Sequence, residues 1–176
     1  MRSARASLVP AIWACVAALA EVRQSLDLDP DQPDARAILG YILFAYQWDW
    51  PGSEREFQRS LDLNPSSLFA LTYYARFLAA QGRFDDALSY VEKAKRLDPQ
   101  SGSVARDYAL FLYYKGDLAA AEQALREPAA MENNQPGLPL TQGLLAEARG
   151  DLEGALADTR QALRLTSGAI PLRVVG

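Results

Sequence analysis

The chain has 176 residues, 49% hydrophobic and 23% charged, with a formal net charge of −4. That balance suits a domain with a substantial buried core and excludes a disordered chain. It has no histidine, a single cysteine (Cys15) and no block of Lys and Arg. The commonest general base, a disulfide framework, a Cys/His zinc set and a basic track for nucleic acid are therefore missing, and no metal or cofactor is expected.

At the N-terminus Arg2 and Arg5 precede an apolar stretch from Leu8 to Leu19, too short to cross a membrane. Ala18-Leu19-Ala20 has the small-residue pattern of a signal-peptidase site. The other reading makes residues 1–32 the remaining helix of a partial repeat, since Ala18, Val22 and Pro30 keep the register of the repeats that follow. We adopt the helix reading, which goes with a cytoplasmic protein. A signal peptide over residues 1–20 would instead imply a periplasmic or secreted one.

From residue 33 the sequence repeats with a period of 34. Gly82, Gly116 and Gly150 fall in one register, as do Ala87, Ala121 and Ala155; the preceding copy has Trp48 and Ser53 there. Trp50, Phe84, Leu118 and Leu152 follow the turns, and Leu63, Leu97, Met131 and Leu165 close the units. Four units fit, at 33–66, 67–100, 101–134 and 135–167, followed by a short tail at 168–176.

Each unit reads as two helices joined by a tight turn. In the second unit, apolar residues at helical spacing predict a helix over 68–81, and Gly82 suits a left-handed helix end. The next helix starts near Phe84 and is predicted to bury Ala87, Leu88, Val91, Ala94 and Leu97 along one stripe. Small residues seven before the turn (Ala75, Ala109, Gly143) allow the two helices to approach closely. The first unit has Gly40 in this role, with one extra residue before its turn. In the third unit Pro128 should kink or end the second helix, and residues 132–139 read as a long loop, either a hinge or a tolerated irregularity. After Leu165 no amphipathic capping helix follows, so this edge is a candidate for self-association.

The segments Gly-Arg-Phe-Asp-Asp-Ala at 82–87, Gly-Asp-Leu-Ala-Ala-Ala at 116–121 and Gly-Asp-Leu-Glu-Gly-Ala at 150–155 resemble the tetratricopeptide repeat (TPR). The resemblance implies an all-α fold, an α-α superhelix of stacked antiparallel helix pairs. It also implies a scaffold that binds a protein or peptide on the concave face made by the first helices. Carried over position by position, that face comprises Tyr41, Phe69, Thr72, Arg76, Arg106, Leu110, Tyr113, Leu144 and Glu147. Residues 46–65 are further similar to repeats of bacterial regulatory proteins, so a regulatory or oligomerisation module is the alternative function.

No catalytic residue is expected. Asp85, Asp86, Asp117, Asp151 and Glu153 lie at helix starts, where capping and the helix dipole account for them. An enzyme working through carboxylates alone is the weakest of the three readings. Trp48 and Trp50 are read as turn and packing residues, and one tyrosine of each pair, Tyr73/Tyr74 and Tyr113/Tyr114, is expected to pack.

Overall fold

The computed structural model describes residues 5–126 and 137–167, with side chains for 17–126 and 137–165. Pro128, Met131, Asn133 and the tail at 168–176 lie outside the described residues. Among the described residues there are nine α-helices and no strand. None of these helices is long and apolar enough to cross a membrane. The chain forms two compact units, residues 1–81 and 82–176.

The first unit contains α1 (Arg5–Leu28), α2 (Pro33–Ile42), a π-helical turn (Leu43–Gln47), α3 (Trp50–Leu63) and α4 (Leu68–Ala80). Helix α2 is central and packs against α1, α3 and α4. The face that α3 turns inward is Ser53, Phe57 and Ser60, all fully buried, at the i, i+4, i+7 spacing of one helix side. Both serine hydroxyls donate to backbone carbonyls at or near α2: Ser53 Oγ to Gly40 O at 2.8 Å and Ser60 Oγ to Pro33 O at 2.7 Å. Between them the Phe57 ring lies over Gly40, where a Cβ would come within 3.2 Å of three ring carbons. Gly40 is thus the close-approach residue of this helix pair.

The extra residue of the first repeat is absorbed in the π turn. At the two later turns the Asp117 N–H donates to Leu112 O and the Asp151 N–H to Ala146 O, each spanning five residues. At the first turn the Asp49 N–H reaches Leu43 O and spans six. Helix geometry is otherwise kept, and Trp48 takes the left-handed conformation (φ 57°) that Gly82, Gly116 and Gly150 adopt in the other repeats. Trp48 is 71% exposed, so it is a turn residue at the surface, with its ring edge on Trp50 at 6.1 Å. Trp50 does pack, against Phe44 and Phe77 at 5.4 and 5.8 Å.

The second unit contains α5 (Phe84–Leu97), α6 (Gly102–Lys115), α7 (Leu118–Leu125), α8 (Gly137–Ala148) and α9 (Leu152–Ser167). Helix α6 packs on α5, α7 and α8, and α9 packs on α8. Asp117 and Asp151 cap α7 and α9 by accepting from the N–H groups of Ala120 and Gly154. Ala87, Leu88, Val91 and Ala94 form the buried stripe of α5, but Leu97 is half exposed. It is the last residue of the helix and sits at its end, at the rim of the core. Of the loop expected at 132–139, residues 132–136 lie outside the described residues, and residues 137–139 are helical and belong to α8. Pro139 lies in its first turn, where a missing N–H costs no helical hydrogen bond.

Candidate partner-binding surface

In the first unit, four aromatic side chains from the π turn, α2 and α4 touch one another in series. Phe69 and Tyr73, one turn apart on α4, have ring centroids 4.2 Å apart. Tyr73 meets Tyr41 of α2 edge-to-face at 4.7 Å, and Tyr41 meets Tyr46 of the π turn at 6.2 Å. The Arg76 guanidinium lies 4.8 Å from the Tyr73 ring centre, within cation–π range. Phe69, Tyr73, Tyr41 and Arg76 are half-buried, and Tyr46 is exposed. Each aromatic offers a ring face or edge on a rigid helix, at little further entropic cost on binding.

The π turn explains how Tyr46 joins the run. In an α-helix residue i+5 lies about 140° round from residue i. A turn closed by i→i+5 bonds brings that residue back toward the same side. Burial, and after it the Tyr46 and Tyr73 hydroxyls, hold the Tyr41 phenol above its ordinary pKa, with Arg76 pulling the other way. Tyr41 is therefore a neutral hydroxyl at physiological pH.

Of the expected residues in this unit, Tyr41, Phe69 and Arg76 lie in the run. Thr72 does not: it is buried and its hydroxyl donates to Leu68 O at 2.7 Å. Its hydroxyl serves the helix rather than a partner. Tyr73 and Tyr46 belong to the run and are absent from the expected set. Tyr73 could have been found from its spacing, four after Phe69 and three before Arg76. The neighbouring Tyr74 is the packed member of its pair, buried with its hydroxyl 3.1 Å from Glu54 Oε1.

In the second unit Arg106, Leu110 and Tyr113 lie on α6, and Leu144 and Glu147 on α8, which packs against it. Leu110, Tyr113 and Leu144 are half-buried and Glu147 is exposed. Tyr113 meets Tyr114 edge-to-face at 5.4 Å. Arg106 differs from the expectation of a cation directed at a partner's carboxylates. Its Nε and Nη2 donate to Asp107 Oδ1 at 3.2 and 2.8 Å, and Asp107 is 2% exposed. The guanidinium also lies over Gly137, where a Cβ would come within 2.5 Å of Nη1.

A cavity of about 300 Å³ in this unit is lined by Glu122, Leu125, Gln142, Arg149 and Asp158 among others. Arg149 pairs with Glu122 at 2.8 Å. Burial first, then Asp151, push the Asp158 carboxyl above the usual carboxylate range, while Arg149 draws it down. A raised value in the folded state means that ionising Asp158 costs stability. The cost is absent at pH below the ordinary carboxylate value and sets in as pH rises through the raised one. Asp158→Asn is therefore expected to raise the melting temperature by about 1–3 °C at pH 7 and to leave it unchanged near pH 3. Thermal melts at the two pH values, followed by circular dichroism, check this.

Comparison with known proteins places the architecture. Residues 43–102 match the family model of the tetratricopeptide repeat. The chain is 24% identical over 121 residues to the type IV pilus assembly protein PilF of Pseudomonas aeruginosa, covering 68% of this chain and 48% of PilF. It thus spans about half the length of that curated relative. The structure of TTC0263, a TPR protein of Thermus thermophilus, superimposes with a TM-score of 0.79 at 21% identity, over 96% of this chain and 91% of the other. YrrB, described as a TPR protein with an unusual peptide-binding site, gives 0.61 at 18% identity, over 91% and 82%. Residues 43–102 thus carry the sequence signature of the tetratricopeptide repeat, and the fold is the helical repeat seen in solved TPR structures that match most of the chain.

Proposed function

We propose that the chain is a scaffold that binds a peptide or protein segment along its first helices, anchored on the aromatic run of α2, the π turn and α4. Repeats of this family generally serve as scaffolds rather than as enzymes. The observation that carries the reading is the series Phe69–Tyr73–Tyr41–Tyr46 with Arg76 over Tyr73. Tyrosine and arginine are the side chains that most often anchor interfaces, and rigid rings bury area without a large ordering cost. The peptide-binding site named for YrrB supports the same use of the fold. Apolar and prolyl side chains are the groups such rings accept best.

The test is selection of a displayed random-peptide library on the whole chain, followed by affinity measurement of the enriched peptides. Tyr73→Ala and Tyr41→Ala should each weaken binding about tenfold or more, the loss expected at an anchoring aromatic. Thermal melts confirm that the variants stay folded. Enriched peptides that bind both variants as tightly as the unaltered chain would remove the assignment, as would a selection that enriches none.

A further inference from the structure

The aromatic run of the first unit also restricts the kind of chain it accepts, on the reading that this run is the binding site. Its centroid steps are 4.2, 4.7 and 6.2 Å, so from Phe69 to Tyr46 it spans at most about 15 Å, the length of about five polyproline II residues at about 3.1 Å each. That helix repeats every three residues, so residues i and i+3 on one side, about 9 Å apart, both fall within the run. The rings do not make a flat platform: the planes of Tyr73 and Tyr41 meet at 67°, and those of Tyr41 and Tyr46 at 89°. Each steep pair forms a corner that suits a compact pyrrolidine ring better than a flat side chain.

We infer that the occupant is a proline-rich segment in the polyproline II conformation, with prolines at positions i and i+3. The hydroxyls of the run select it over other backbones. Tyr41, Tyr46 and Tyr73 each bring a phenolic O–H that needs an acceptor once a ligand removes its water. The buried Tyr74 meets that need inside the protein, with Glu54 Oε1 at 3.1 Å and Gln58 Nε2 at 3.2 Å. The Tyr73 hydroxyl, one residue away, has no hydrogen-bond partner among the described residues. An amphipathic helix bonds its own carbonyls internally and would offer these hydroxyls only an apolar face. An extended ligand adding to a sheet needs a strand edge, and there is no strand among the described residues. A polyproline II segment makes no internal hydrogen bond and keeps its carbonyls available as acceptors. It is also stiff before it binds, so little freedom is lost on docking.

Isothermal titration calorimetry of the whole chain with decaproline tests it, at up to about 2 mM peptide because so short a contact is small and weak. Decaproline should bind, and a Gly-Ser peptide of the same length should not. Tyr46→Ala should weaken binding about tenfold or more, and since that side chain is exposed the fold is kept. Tyr73→Phe combined with Tyr46→Phe should weaken it about tenfold, because the rings stay and two hydroxyl donors are lost. Peptides enriched from the random library should carry prolines at i and i+3. Enriched peptides that lose affinity on Tyr73→Ala but lack this pattern, or that turn helical when bound, would overturn the inference and leave the aromatic run as the site. Decaproline bound no more tightly than the Gly-Ser peptide, or bound equally well by the combined Tyr73→Phe and Tyr46→Phe variant, would overturn it too. A selection that enriches no peptide at all would remove the site itself.

Discussion

Replacing Phe57 by alanine is expected to cost the first unit about 3–5 kcal/mol, measured by urea denaturation. The ring is fully buried, with Tyr74 and Phe77 at centroid distances of 5.6 and 6.0 Å. Its floor is Gly40, which has no side chain that could move into the space. The cavity therefore stays open and the cost falls toward the upper end of the range. Gly40→Leu alone should also destabilise, since the added atoms collide with the ring. Combined with Phe57→Ala, the same leucine fills the vacated volume and recovers part of the loss. Equal losses for the single and the double variant would show that the Gly40–Phe57 contact is not the close approach that sets this helix pair.

Arg106→Ala is expected to cost about 3 kcal/mol, although the same position looks from the sequence like a surface cation available to a partner. The substitution removes the guanidinium that faces the Asp107 carboxylate, whose side chain is 3% exposed. Taking away one member of a buried pair costs more than the pair contributes, because the remaining charge keeps its desolvation penalty. Arg106→Lys should recover only part of the loss, since an ammonium cannot reproduce the two donors directed at one oxygen. Arg106→Ala with Asp107→Ala should be less destabilising than Arg106→Ala alone. Melting temperatures of the four proteins give the answer, and an Arg106→Ala variant as stable as the parent would return this residue to the partner-binding set. A binding loss on Arg106→Ala accordingly reports on folding as much as on recognition, which is why the tyrosines of α2 and α4 are the sharper probes.

The sequence by itself determined the repeat and its local chemistry. A glycine every 34 residues at a left-handed helix end, an aspartate cap just after Gly116 and Gly150, and a small residue seven before each glycine are short-range requirements of a helix–turn–helix unit. Such requirements depend on neighbours in sequence, so they can be read from it. The tertiary structure decided which side chains are available. The one-residue insertion near Gly40 could be accommodated at several places, and its settling as a π turn at 43–47 is what brings Tyr46 beside Tyr41. Whether Arg106 points outward or back to Asp107, and whether Thr72 is free or bonded within α4, depends on which helices lie alongside. The same holds for Leu88 and Leu156: they share one register in the repeat, yet one is buried and the other half exposed. Exposure is set by the neighbouring helices, and the pattern within a single repeat carries no record of them.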